Sequence, residues 1–364
     1  MDASRLRRRL PIVAIACALG FALFPMPVAA GGVGPTTVAS GLRSPRGLSG
    51  TDPTDFFVAE AGKGGNGPCG PGPVGRMCAG KTGSLTHVQD GALDRLTRLS
   101  SIALEDGSTA FGPHDVTVKG NGTMLATIGL AGNVHTRERF GDHGALLGTL
   151  VKVKPDGTIR VKADILAYEA KHDPNDDGVE SDPYGILRVG KKTVITDAAG
   201  NSLLQINKKG FIKTLATFPN RDVDFEGEPF SMDSVPTSVV LGPDGAYYVS
   251  ELTGFPFPVG EARVYRVVPG EDPEVYATGF TNIIDIAFDK KGTLYVLEIF
   301  HNGLLSGDPT GALIRVDANG GQEIVMSDGL ITPGGLALRG DNAYVSNCGT
   351  CAGGGEVLRI PIDD

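Results

Sequence analysis

Short apolar runs alternate with clusters of Gly, Pro, Asp and Asn along nearly the whole chain, the pattern of half-buried strands joined by tight turns. The runs recur as a unit, and repeats of this kind set the fold. Each unit opens on an A strand: PRGLSG (45–50), PHDVTV (113–118), PYGILRV (183–189), PTSVVLG (236–242), IIDIAFD (283–289) and PGGLALR (333–339). A polar turn leads to a B strand: FFVAE (56–60), MLATI (124–128), TVITD (193–197), YYVSE (247–251), LYVLE (294–298) and AYVSN (343–347). C strands follow at 82–88, 148–153, 202–207, 262–268, 311–316 and 355–360. One short helix is predicted over 161–172, VKADILAYEAKH.

Six such units predict an all-β, six-bladed β-propeller of four-stranded blades, one domain over residues 31–364. Pro45 to Pro333 covers five periods of about 58 residues, longer than the roughly 40–45 of compact propeller repeats. The last unit lacks a D strand, and the segment TTVASGL (36–42) resembles the D strands at 275–280 and 323–330. The N-terminal strand is therefore expected to complete the last blade and close the ring.

Strand order then sorts the loops. A–B and most C–D turns are short and rich in Asp-Gly and Asn-Gly, which match hairpin twist. The B–C connections at 61–81, 129–147, 252–261, 299–310 and 348–354 are long, and all fall on one face. That face is expected to carry function.

The first thirty residues read as an export signal: Arg5 and Arg7–Arg9, an apolar run from Leu10 to Phe24, and small residues to a cleavage site near Ala30. This predicts a secreted or periplasmic chain with no membrane span. The formal net charge of −9, more negative once the signal is lost, excludes a nucleic-acid binder and disfavours anionic lipid. Cys69, Cys78, Cys348 and Cys351 remain, an even count that predicts two disulfides in an exported chain. Proximity in sequence favours Cys69–Cys78 and Cys348–Cys351; cross-pairing between the first and last blades stays open.

The stretch from Val235 to Val316, with GPHDV (112–116) and DPYGIL (182–187), resembles the ScyD/ScyE family, exported proteins associated with scytonemin biosynthesis. The resemblance spans nearly all of the chain after the signal. It implies an NHL-like propeller outside the cytoplasm, and it supplies no catalytic residues.

Candidate chemistry gathers on the long-loop face. The B strands end in Glu60, Ile128, Asp197, Glu251, Glu298 and Asn347. These residues are either a ring of ligand or metal donors, as carboxylates brought together attract a divalent cation, or caps on loop amides. His114, Asp115 and Asp285 open A strands, which line the central channel, and are the catalytic candidates. His301 joins the ligand-binding set. His114, His135 and His143 share one blade with Asp142, a grouping that could hold a transition metal. The segment Asp173-Pro174-Asn175-Asp176-Asp177-Gly178 matches the first half of a calcium loop, with Asp173, Asn175 and Asp177 as donors. Its twelfth position is Tyr184 where a bidentate Glu is expected; a hydrated acidic linker is the other reading. Phe255 and Phe257 lie between prolines in a B–C loop, either facing a flat apolar ligand or plugging a gap between blades.

No GxSxG, HExxH, P-loop or dinucleotide fingerprint is present. Four functions follow: a monomeric exported propeller binding a small or aromatic molecule, a metal-dependent lactonase-like hydrolase using His114 or Asp115 as base, a quinone-dependent dehydrogenase, and a protein-interaction scaffold. Calcium or another divalent metal is the cofactor class the residues imply; no sequence feature favours the quinone.

Overall fold

Six antiparallel sheets stand around one axis in the computed structural model, which describes residues 34–50 and 52–362. The expected export signal, with its cleavage site near Ala30, lies outside the described residues. Blades 2 to 5 each run A to D from hub to rim. Blade 2, for example, is Pro113–Val118, Met124–Ile128, Thr149–Val153 and Ile159–Asp164. The A strands pack side by side in chain order, and the sixth (Gly335–Arg339) returns to the first (Pro45–Ser49).

Closure follows the expected route. Thr36–Leu42 pairs antiparallel with Gly355–Pro361, Thr36 opposite Arg359 and Leu42 opposite Gly355. The seam is reinforced by Arg339, whose guanidinium lies over Phe56 of blade 1 (4.8 Å) and Tyr344 of blade 6 (4.5 Å).

The core is divided among the gaps between blades. One apolar cluster fills each of the six interfaces. Because successive side chains on a strand point to opposite faces, Tyr247 packs toward blade 3 and its neighbour Tyr248 toward blade 5. This explains why the B strands read as nearly continuous apolar runs rather than strict alternations.

The final two residues of most B strands bond beyond the strand. In blades 2, 3 and 6 the penultimate hydroxyl reaches the next blade: Thr127 donates to the Tyr184 carbonyl, Thr196 to that of Thr237 (3.0 Å), and Ser346 to that of Arg46 (2.7 Å). The last residue, on the opposite face, turns back to the segment that enters its own blade. This inter-blade stitching holds the hub as a single ring.

Elaboration departs from expectation in three places. Residues 61–81 are not a plain loop. The third strand of blade 1 runs from Gly75 to Gln89, and its first part lies between Cys69–Gly72 and Leu99–Leu104. The predicted helix over 161–172 starts later, at Ile165, because 161–164 belong to the rim strand Ile159–Asp164. Asp164 then caps the helix, accepting from Ala167 N at 3.0 Å. A hairpin, Arg221–Phe225 with Glu228–Met232, stands between blades 3 and 4 and was not foreseen. Its Glu226-Gly227 turn has both residues at positive φ, the two-residue hairpin geometry.

Both expected disulfides form: Cys69–Cys78 joins two paired strands of blade 1, and Cys348–Cys351 closes the turn after the last B strand. Such bonds persist in oxidising compartments. Among the described residues no helix is long and apolar enough to cross a membrane.

Candidate functional site at the channel mouth

The B-strand termini are latches. Glu60 accepts from Arg43 N (2.6 Å), Asp197 from Asp182 N (2.6 Å), Glu298 from Thr281 N (2.6 Å) and Asn347 from Ile331 N (2.7 Å). Glu251 accepts from Ser234 Oγ (2.8 Å) and the Arg221 guanidinium. In each case the backbone or hydroxyl donor lies just before the A strand of the same blade. Four of those five segments contain a residue held at positive φ, namely Ser44, Val235, Asn282 and Thr332, a strained conformation for side-chain-bearing residues. Blade 2 ends in Ile128 and keeps only the backbone bond that the other blades also make, Gly129 N to Gly112 O at 2.7 Å.

Burial separates this arrangement from a ligand ring. Glu60, Asp197, Glu251, Glu298 and Asn347 are all at most 3% exposed. Glu60 is paired with Arg95 (2.9 Å), Glu251 with Arg221, and Glu298 bonds to His301 Nδ1. Carboxylates engaged this way do not fit a shared metal at the mouth of the ring. The capping alternative is the one their geometry matches.

Asp115 and Asp285 are rivets of the hub. Asp115 accepts from Val116 N (2.7 Å) and, across the blade boundary, Ile186 N (2.9 Å). Asp285 does the same with Ile286 N (2.8 Å) and Leu336 N (2.7 Å), and also accepts from Ser238 Oγ (2.6 Å). The two stand three blades apart, so they stitch opposite sides of the ring. Burial, then the charge of Asp285 across the hub, pushes the Asp115 carboxyl well above its ordinary range; burial lifts Asp285 to about 6. Glycine permits the tight hub: a Cβ on Gly47 would sit 2.0 Å from Asp115 Oδ1.

His114 lies one position nearer the mouth and is different. It is 2% exposed, its ring 4.4 Å from that of Tyr184, with Nδ1 3.6 Å from Asp182 Oδ1. Burial, then the Arg46 guanidinium, depresses its pKa well below the usual value, so the imidazole is neutral. Burial raises Asp182 to about 7 and Tyr184 to about 12. Arg46 is buried too and donates to Ala110 O at 3.2 Å. Three buried atoms in this group have no hydrogen-bond partner: Arg46 Nε, His114 Nδ1 and Tyr184 Oη. Interiors rarely leave such groups unpaired.

Arg46, His114 and Tyr184 occupy one column of the repeat, the residue after the proline that opens the A strand. Sequence reading singled out His114 alone; reading down that column would have found the other two. Ile284 takes the same place in blade 5, and Tyr184, Leu252 and Phe300 pack against its apolar cluster. The column is thus polar in blades 1 to 4, with Thr237 in blade 4, and the apolar side of the mouth is that of Ile284, Leu252 and Phe300.

The remaining candidates are dispersed. His135 is exposed and faces Glu138 (3.4 Å), whereas His143 packs by Gly67. His114, His135 and His143 therefore have separate surroundings. Phe255 stacks edge-on against Phe225 (5.0 Å), Phe230 (5.3 Å) and Phe257 (6.2 Å), joining a half-buried aromatic cluster under the unforeseen hairpin. Asn175 donates to Asp177 (2.8 Å) within the acidic loop.

No family model matches the chain, and no curated protein matches it. Solved structures do. A putative oxidoreductase (glucose dehydrogenase) from Thermus thermophilus superposes with a TM-score of 0.54 at 17% identity, over 90% of this chain and 99% of that one. A streptogramin B lyase gives 0.51 at 12%, covering 90% and 96%. A gluconolactonase from Xanthomonas campestris gives 0.51 at 10%, covering 90% and 89%. At these identities the likeness establishes the propeller fold alone.

Proposed function

We propose that the chain is an exported ligand-binding propeller of the ScyD/ScyE type, taking a small flat molecule with a polar edge at the channel mouth. The convergence of three unpartnered buried polar atoms, on Arg46, His114 and Tyr184, supports this reading. A ligand edge carrying an acceptor for Arg46 and Tyr184 and a donor for neutral His114 would satisfy all three. The apolar wall of Ile284, Leu252 and Phe300 suits an aromatic body, the usual make-up of a small-molecule pocket.

A thermal-shift screen of aromatic carboxylates and phenols tests the proposal. A binder is expected whose effect falls about tenfold or more in apparent affinity in Arg46→Met and Tyr184→Phe, in line with the loss of a buried hydrogen bond. Ligands that bind equally well to both variants would place the site elsewhere.

A lactonase-like hydrolase is the second reading, and the neutral His114 beside Asp182 favours it. An imidazole with Nδ1 free can accept a proton from an attacking water. Turnover of lactones or esters that is abolished in His114→Gln while ligand affinity remains would select this reading over simple binding.

A further inference from the structure

The acidic segment between blades 2 and 3 contains charge that the channel site does not use. Glu169 projects from the helix Ile165–His172 and is 0% exposed, and neither of its carboxylate oxygens has a hydrogen-bond partner. Asp173, the left-handed residue that ends the helix, has a buried Oδ1 in the same condition. Asp177 Oδ2 is held by Asn175 Nδ2 (2.8 Å) and Asn201 Nδ2 (2.9 Å), which ties the acidic loop to the turn after the blade 3 B strand. A Cβ on Gly200 in that turn would meet Glu169 Oε2 at 2.9 Å and Asp197 Cγ at 3.2 Å, so two carboxylates flank one glycine. The fields of Asp197, Asp173 and Asp177 all fall on Glu169. Leaving both oxygens of a buried carboxylate unmatched is costly, and a cation is the simplest remedy.

We infer that a calcium ion binds here, with Glu169 as bidentate ligand, Asp173 Oδ1 as a second donor and Asp177 completing the acidic wall. All the donors are hard oxygens, which suits calcium and not zinc or copper. A bidentate carboxylate beside a flexible loop also favours calcium over magnesium, which demands near-octahedral geometry and keeps its water. The arrangement inverts the calcium loop suggested by the spacing. Its glutamate comes from the helix before the loop, so the twelfth position is released and Tyr184 serves the channel instead. Asn175 is a positioning residue that steadies Asp177. Among the described residues no three acidic, His or Cys side chains already stand at mutual ligand distance. Binding therefore draws Asp173 and Asp177 toward Glu169 by side-chain rotation.

Calorimetric titration of the chelator-treated protein with calcium chloride, and separately with magnesium chloride, tests the site. Saturable calcium binding to a single site is expected, with a rise in melting temperature of several degrees and a much weaker magnesium response. Glu169→Gln and Asp173→Asn are each expected to weaken calcium about tenfold or more, and Asn175→Ala less, as an outer-shell change. Absence of calcium binding by the wild type at millimolar concentration would overturn the assignment. So would undiminished binding by Glu169→Gln, or an equal response to magnesium. If Glu169→Gln fails to fold, Asp173→Asn carries the same test.

Discussion

Asp182 and His114 face each other with pKa values displaced in opposite directions, which ties stability to pH. Asp182 titrates near 7 when folded and near 3.8 otherwise, so the folded state binds its proton more tightly. Its contribution to stability is complete below about 3.8 and is lost as pH rises to about 7. His114 is depressed below 6.5, so its contribution is complete above 6.5 and is lost as pH falls. Asp182→Asn removes only the first. The melting temperature of the variant relative to wild type is therefore expected to climb between about pH 4 and about pH 7, and scanning calorimetry across that range checks it. A difference that stays flat would remove the Asp182 shift. Residues of this kind were half legible in the sequence. The column containing His114 was visible, but its neutrality depends first on burial and then on Arg46, which lies far away along the chain. The B-strand carboxylates were equally visible. Whether they aim at the channel or at their own entry segment is a matter of strand face and loop path, which spacing alone does not state.

At the scale of elements, the hairpin Arg221–Phe225/Glu228–Met232 is an inserted piece with a structural role. Arg221 supplies the cation for buried Glu251, and its guanidinium also donates to Glu261 O at 2.5 Å. Phe225 and Phe230 cover Phe255. Removing the arginine strands a carboxylate in the interior, a change that costs about 3–5 kcal/mol when a buried pair is broken. Arg221→Met is expected to lose stability on that scale in urea titration, and adding Glu251→Gln should recover most of it. A double variant no better than the single one would show that the pair does not couple. The strands themselves were legible because a period-2 pattern bounded by Gly, Pro and Asp has few other solutions. The hairpin was missed although Val223, Phe225, Phe230 and Met232 flank a two-residue Glu-Gly turn. It falls outside the repeat, so the period that marks the blades does not mark it. The helix start was misplaced by four residues for a related reason: Val161 to Asp164 extend a rim strand, and pairing with Thr149–Val153 outweighs helical propensity there.

At the scale of the molecule, the ring is held by a pairing between its extremities. Deleting Thr36–Leu42 would leave Gly355–Pro361 as an open sheet edge and uncover Val357 and Phe56, which pack with Ala39 and Leu42. The truncated chain is expected to self-associate and to melt at lower temperature, measured by sedimentation velocity and circular dichroism. A monomer of unchanged stability would mean that the sixth blade does not need its fourth strand. The pairing also imposes a schedule. The earliest segment of the propeller to leave the ribosome meets its mate only after the final one has been made. Until that moment the growing molecule is a horseshoe with two raw margins, unable to lock itself shut.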